Sequence, residues 1–225
     1  MLGWIRFEHR RRLRLEREDL LGLPVWALRL PKRAWGLERR LAKGARRLVS
    51  QGVTRVLVPP GFAWWNILEK CGLHPVDPGA LRTALVPLWT GHVLAQKGIP
   101  PEQATVALTG PRETQAMARA ARALCPLVRS LVICVPGEGE LAHQLRREFG
   151  MPVLPPRSAR PHVAISFDPE AQLPGAAFTL ADAPLPDGCE PMPLLCALWE
   201  CGKLPLGRIA VAPSPAGQPD LENFS

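Results

Sequence analysis

The chain of 225 residues has few features of a metal or disulfide protein. It contains no CxxC pair and no Cys/His cluster with zinc-finger spacing, which excludes the common zinc modules. Cys134 lies inside the apolar run 131–135, where a small buried hydrophobic residue is expected. We therefore expect free thiols in a reducing compartment, and no metal site. The six cysteines are Cys71, Cys125, Cys134, Cys189, Cys196 and Cys201.

Long hydrophobic runs are also lacking. No stretch of about 18 apolar residues occurs, so the sequence predicts no membrane-spanning helix. Near the N-terminus, Arg6, Glu8 and Arg10 interrupt the apolar residues and leave no hydrophobic core of a secretory signal. These two absences predict a soluble, cytoplasmic protein without a membrane partner.

Acidic residues are scarce in the first quarter of the chain. Residues 1–55 hold 15 Lys or Arg and 5 Asp or Glu, whereas the remaining residues hold 13 and 15. The net charge of +8 therefore describes the N-terminal segment, whose field attracts polyanions without regard to sequence. A helix predicted over residues 32–51 carries much of this charge. Its basic residues are either a solvated face or a surface for nucleic acid or an acidic partner: Arg39, Arg40, Lys43, Arg46 and Arg47.

The first half of the chain changes its hydrophobic period several times. Residues 1–30 alternate apolar and polar side chains, which predicts a small β meander. A strand is predicted over residues 53–58, and a short helix over 63–71. A longer helix is predicted over 78–98, with a kink or break at Pro87. His92 is the only polar member of the apolar stripe on the long helix. It is either a buried, hydrogen-bonded histidine or a side chain that lines a pocket.

From residue 104 onward, short apolar strands alternate with helices of ten to fifteen residues. This order is typical of βαβ units and predicts an α/β fold with a mostly parallel sheet and flanking helices. The predicted strands are 105–108, 131–135, 152–154, 163–167, 176–180 and 208–212, with helices at 113–124, 141–149 and 193–201. We expect three regions: a basic N-terminal β/helix segment (1–52), the α/β domain (53–212) and a disordered tail (213–225).

The strand, turn and helix over residues 106–118 resemble the dinucleotide-binding domain of the shikimate dehydrogenase and glutamyl-tRNA reductase group. The motif is Val-Ala-Leu-Thr-Gly-Pro-Arg-Glu-Thr-Gln-Ala-Met-Ala, followed by the strand at 131–135 and Phe167-Asp168-Pro169. The resemblance covers residues 78–212 and is architectural. It implies a Rossmann-like fold, and NAD(P) as the cofactor.

The chain departs from that family where the cofactor's diphosphate would bind. A phosphate loop of the form GxGxxG lets bare backbone approach the diphosphate, and here only Gly110 is present. Arg112 and Gln115 occupy the positions of the second and third glycines. Val135-Pro136-Gly137 stands where an acidic residue would hold the ribose, and residues 1–77 contain no match to the family's catalytic residues.

We therefore favour a non-catalytic binding or regulatory derivative of a dinucleotide-binding fold. A working NAD(P)-dependent reductase with an atypical phosphate loop is the alternative, and nucleic-acid binding through the basic helix is a third hypothesis.

The predicted ligand site lies where the strands end, and the ligand is a small molecule or a protein. Its residues are Gly110, Arg112, Thr114, Pro136 and Asp168. Asp168 and Asp182 follow strand ends, where carboxylates either serve catalysis or close turns.

An aromatic cluster follows the turn Pro59-Pro60-Gly61. Phe62, Trp64 and Trp65 either seal the edge of a core or form a partner surface. The sequence leaves the substrate and the oligomeric state open.

Overall fold

The computed structural model describes residues 1–9, 13–32, 36–136, 139–157, 159–168, 173, 176–182 and 184–213. The predicted tail after residue 213 lies outside this range. The chain forms two compact units, Met1–Pro78 with Phe178–Ala210, and Gly79–Ala177 with Val211–Ser225. The boundary predicted between residues 52 and 53 falls inside the first unit, because strand residues 55–57 pair with the N-terminal strand.

The first unit contains a five-stranded sheet in the order β2-β3-β1-β4-β5. All neighbouring strands are parallel except β2, which runs antiparallel to β3. The strands are β1 (Leu2–Glu8), β2 (Arg14–Leu20), β3 (Leu23–Pro31), β4 (Arg55–Leu57) and β5 (His74–Pro75).

The predicted β meander over residues 1–30 is wrong. A meander would leave β1 beside β2, but β1 pairs with β3 on one side and β4 on the other. The physical reason lies in residues 2–5, which are all buried and need cover on both faces and both edges. A tight turn at Leu21 and Gly22, both with positive φ, folds β2 back onto β3.

The described residues of the first unit form the helices α1 (Leu37–Ser50), α2 (Trp65–Lys70) and, later in the chain, α6 (Pro191–Glu200). The helix predicted over 32–51 is confirmed as α1, which buries Leu41, Gly44, Ala45 and Leu48. A Cβ at Gly44 would lie 2.6 Å from Leu28 Cδ2, so glycine allows α1 to approach β3 closely. The ring of Phe62 packs against those of Trp64 and Trp65, and both tryptophans pack against this core.

The second unit contains a four-stranded parallel sheet in the order β8-β7-β6-β9. Counted from β6, this is the order 3-2-1-4 of a Rossmann half, and the strand order reverses between β6 and β9. The α/β fold with mostly parallel sheets flanked by helices is thus confirmed. The strands are β6 (Thr105–Thr109), β7 (Ser130–Cys134), β8 (Val153–Leu154) and β9 (Val163–Ser166).

In the described part of the second unit, the helices beside the sheet are α3 (Gly79–Gln96), α4 (Gln115–Leu124) and α5 (Glu140–Phe149). Of the kink or break expected at Pro87, the break does not occur, because α3 continues through this residue. The late strands β10 (Ala176–Leu180) and β11 (Ile209–Pro213) form a separate two-stranded sheet rather than extending the Rossmann-like one. Among the described helices, none is both long and apolar enough to cross a bilayer.

Candidate functional site

The predicted site residues lie at one edge of the second sheet. Gly110, Arg112 and Thr114 follow β6, Pro136 follows β7, and Asp168 follows β9. Two backbone hydrogen bonds hold the strand exits together: Gly110 N–H donates to Cys134 O at 3.2 Å, and Phe167 N–H donates to Thr109 O at 2.8 Å. The carboxyl ends of parallel strands at a reversal of strand order form the usual ligand crevice of such folds.

At Gly110, the backbone of the loop after β6 lies close to the side chains of Met117 and Phe167. A Cβ there would lie 3.1 Å from Met117 Cε and 3.6 Å from the Cβ of Phe167. The side chain of Arg112 is exposed, so it does not fill the crevice from within. The glycine thus serves local packing, while the guanidinium group of Arg112 is accessible to a ligand.

Thr114 is the N-cap of α4. Its Oγ1 accepts a hydrogen bond from Met117 N–H at 3.1 Å, and its backbone is extended, with φ −120° and ψ 158°. This arrangement satisfies one of the backbone donors that a helix leaves free at its start. Thr114 therefore has a structural role at the position where a dinucleotide-binding helix would present its N-terminus to the diphosphate.

Glu113 lies in the same loop but is absent from the predicted site, because the sequence assigned it to the first turn of the following helix. Its Oε1 and Oε2 accept from Leu141 N–H at 3.3 and 3.1 Å. The carboxylate therefore bridges the loop after β6 to the first turn of α5. A Cβ at Gly139 would lie 3.8 Å from Glu113 Oε1, so this glycine leaves room for the bridge. No local pattern in the sequence marks a bond between residues so far apart.

Asp168 is engaged in a short-range turn. Ser166 Oγ donates to Asp168 Oδ2 at 2.6 Å, and Asp168 N–H donates back to Ser166 Oγ at 3.3 Å. Both residues are exposed. These bonds fit a carboxylate that closes a turn, which is one of its two sequence interpretations. Asp182 has a partner that is distant in sequence, since its Oδ2 accepts from Arg208 Nε at 3.0 Å.

A pocket of about 450 Å³ lies at the opposite edge of the same sheet. Pro101 and Val128 lie just before β6 and β7, which places the pocket at the amino ends of these strands. His92 lines it, as one of its two sequence interpretations proposed. The other interpretation, a hydrogen-bonded histidine, is wrong for Nε2, which is buried without a partner in the described part of the chain.

The basic face of α1 is solvent-accessible. Its five cations are all exposed, and the buried residues Leu41, Ala45 and Leu48 lie on the opposite side of the helix. The only acidic residue within α1 is Glu38, in the first turn. This face has the composition expected of a surface that attracts polyanions. The cations are Arg39, Arg40, Lys43, Arg46 and Arg47.

All six cysteines are free thiols. Burial raises the pKa of Cys189 and of Cys196 to about 11 each. Thiols with raised pKa values are weak nucleophiles at neutral pH. Within the described ranges, no three His, Cys, Asp or Glu side chains are grouped as a metal ion would require.

No protein-family model matches this chain, and no curated protein matches it either. A solved structure of L-tryptophan dehydrogenase from Nostoc punctiforme matches at 14% identity and a TM-score of 0.35, over 73% of this chain and 55% of that one. Arylmalonate decarboxylase matches at 15% identity and a TM-score of 0.21, over 68% and 86%. The chain thus spans about half the length of the dehydrogenase. Likeness at this level assigns neither a family nor an activity, and the resemblance to the shikimate dehydrogenase and glutamyl-tRNA reductase group stays a prediction.

Proposed function

We propose that the second unit is a non-catalytic binding or regulatory module, derived from a dinucleotide-binding fold that no longer accepts its dinucleotide. The observation that supports this most is the bond between the Glu113 carboxylate and Leu141 N–H. It joins the loop after β6 to the start of α5. In working Rossmann domains, the space between these two elements receives the adenosine side of the cofactor.

The charge of Glu113 argues against a dinucleotide in the usual pose. The diphosphate of NAD(P) is anionic and binds at the N-terminus of the helix after the first strand. Glu113 directly precedes Thr114, the N-cap of that helix, so its carboxylate would stand close to the diphosphate. Like charges at such short distance repel, and the repulsion is strong where water is excluded.

The residues of the loop after β6 also argue against a bound dinucleotide. Arg112 and Gln115 carry side chains where the fold needs bare backbone, and β7 ends in Cys134 before Val135 and Pro136 rather than in a ribose-binding carboxylate. The exposed guanidinium of Arg112 is well suited to a carboxylate or phosphate group at the crevice rim. We expect the ligand to be a small anionic molecule, or an acidic protein segment, held by Arg112.

The test is a thermal-shift series with NAD⁺, NADH, NADP⁺, NADPH and S-adenosylmethionine at millimolar concentration. We expect no rise in Tm for the native chain with any of them. In Glu113→Ala, the nucleotides should gain measurable binding, since the competing carboxylate is gone. A Tm rise of the native chain with NADPH that disappears in Arg112→Gln, together with NADPH consumption, would establish the reductase alternative instead.

A second candidate function, polyanion binding, is supported by the exposed cations of α1. Binding of duplex DNA or RNA should weaken steeply with salt, because phosphate contacts release condensed counterions. Replacing the five cations of α1 with glutamine should abolish this binding. The matched control replaces five exposed cations on other elements with glutamine, and it should retain binding: Lys70, Arg119, Arg129, Arg147 and Lys203. Equal losses in both variants would contradict a specific role of α1.

A further inference from the structure

The pocket at the amino edge of the second sheet has the dimensions and the lining of a ligand site. Its volume of about 450 Å³ lies within the range of pockets that hold small organic molecules. Its lining contains no Lys, Arg, Asp or Glu, and Leu88 and Leu127 are 41% and 44% exposed. The lining residues are Pro87, Leu88, Thr90, Gly91, His92, Leu94, Pro101, Leu124, Leu127, Val128 and Val211.

Two polar atoms of this lining lack a hydrogen-bond partner. Thr90 Oγ1 and His92 Nε2 are both buried, and neither bonds to any residue that the structure describes. Thr90 as a whole is only 2% exposed. Buried polar atoms nearly always have partners, so two unsatisfied atoms on residues that line a pocket indicate that a bound molecule can supply a partner.

Thr83, on the same helix, makes the side-chain hydrogen bond that Thr90 lacks. Its Oγ1 donates to Gly79 O at 2.9 Å, which is the usual way for a helical threonine to satisfy its hydroxyl. Both threonines belong to α3, and only the one at the pocket is left without a bond. The missing bond is therefore a local property of the pocket and not a general feature of this helix.

We infer that this pocket binds a small, uncharged, mainly apolar molecule that carries a hydroxyl or carbonyl group. The apolar walls would hold its hydrocarbon part, because burial of apolar surface favours binding. A ligand hydroxyl both donates and accepts, so it can serve as the partner of Thr90 Oγ1 or of His92 Nε2. A carboxylate finds no Lys or Arg in the lining to compensate its charge. This inference goes beyond the proposed function and does not depend on it, since the pocket and the crevice lie at opposite edges of the sheet.

A larger side chain at Gly91 should fill the pocket without disturbing the fold. It lies within α3, lines the pocket, and an added Cβ there would meet no atom within 4 Å. A leucine at this position should project into the empty volume, and helices favour leucine over glycine. Gly207 is the matched control: it belongs to the first unit, has the same open space around an added Cβ, and is not among the residues that line the pocket.

The experiment titrates the full chain with p-cresol, toluene and 4-methylbenzoate by isothermal calorimetry. We expect saturable binding of p-cresol with a Kd about tenfold lower than that of toluene, and no saturable binding of 4-methylbenzoate. Thr90→Val should weaken p-cresol binding about fivefold to tenfold and leave toluene unchanged, because it removes the hydroxyl and keeps the shape. Gly91→Leu should abolish binding of both, whereas Gly207→Leu should not.

Three results would overturn the inference. They are no saturable binding of p-cresol to the native chain, equal Kd values for p-cresol and toluene, and unchanged p-cresol binding in Gly91→Leu. Each variant is first checked for cooperative thermal unfolding, and Thr90→Val keeps the test decisive if Gly91→Leu does not fold. Because no nucleotide is used, these results are separate from those of the NAD(P) series.

Discussion

Leu141 N–H donates to both carboxylate oxygens of Glu113, at 3.3 and 3.1 Å, and so joins the loop after β6 to the first turn of α5. A carboxylate at a helix N-terminus satisfies a free backbone donor and interacts favourably with the helix dipole. We therefore expect Glu113→Ala to lower the free energy of unfolding by about 1 kcal/mol. Urea denaturation measures this loss, and faster hydrogen exchange of the Leu141 amide would localise it.

Glu102 provides the control for this prediction. It is an exposed carboxylate in a short 3-10 turn before β6, and no ion pair joins it to another described residue. Glu102→Ala should leave the free energy of unfolding nearly unchanged. If both alanine variants were equally stable, the Glu113–Leu141 bond would contribute nothing measurable.

Thr114 stabilises the helix on the other side of the same loop. Its Oγ1 accepts from Met117 N–H, so Thr114→Ala should cost about 1 kcal/mol of unfolding free energy. Thr114→Ser retains the capping oxygen and should restore most of this loss. Thermal or urea unfolding of both variants measures the difference. An equal loss in the serine variant would show that the methyl group, rather than the cap, carries the effect.

The sequence predicts a strand or helix well where the hydrophobic spacing of its own residues is enough to identify it. Residues 131–133 form an uninterrupted apolar run, and β7 is buried there on both faces. The spacing of Leu41, Ala45 and Leu48 likewise gave α1. The order of the N-terminal strands was not predictable, because pairing depends on distant partners: β1 takes β3 and β4 as neighbours, and only the latter lies beyond α1.

The positions of the candidate site residues were predictable to the same extent, whereas their role stays a prediction. Parallel strands end at one edge of a sheet, so the chain order alone brings Gly110, Pro136 and Asp168 to that edge. The long-range bond of Glu113 was missed, since a glutamate in a turn has no sequence signal for a partner 28 residues away. For His92, the sequence left two interpretations open, and only the three-dimensional packing shows that it lines a pocket.

Thr90 is expected to weaken the protein in the absence of a ligand. Its buried hydroxyl has no partner in the described part of the chain, and an unsatisfied polar group of this kind costs roughly 1–3 kcal/mol. Thr90→Val should therefore raise the free energy of unfolding by about 1 kcal/mol, because valine keeps the shape and has a similar helix propensity. Urea denaturation without ligand measures the gain.

Thr83→Val is the matched control on the same helix. It removes the bond from Thr83 Oγ1 to Gly79 O and should lower the free energy of unfolding by roughly 0.5–1 kcal/mol. The two substitutions are chemically identical and differ only in whether the hydroxyl has a partner. Changes of the same sign in both variants would contradict the assignment of Thr90 as unsatisfied.

Two buried thiols should make the protein less stable at high pH. Burial raises the pKa of Cys189 and of Cys196 to about 11, from an ordinary value of 9.0. Below pH 9 both thiols are protonated in the folded and unfolded chains, so the stabilisation they give is fully present. As the pH rises from 9 to about 11, the unfolded chain releases these protons first. The free energy of unfolding should fall by on the order of 2 kcal/mol per thiol.

Comparing cysteine variants with the native chain separates the contribution of these two thiols from that of other groups that titrate at high pH. Tyrosine is absent from the chain, so lysines and the other cysteines are the remaining side-chain types that lose protons in this window. A chain with Cys189→Ala and Cys196→Ala should lose less stability between pH 9 and 11 than the native chain, whatever its stability at pH 7. Cys201→Ala is the control that removes an exposed thiol. Parallel curves for the double variant and the native chain would mean that the two thiols ionise in the folded protein as readily as in the unfolded one.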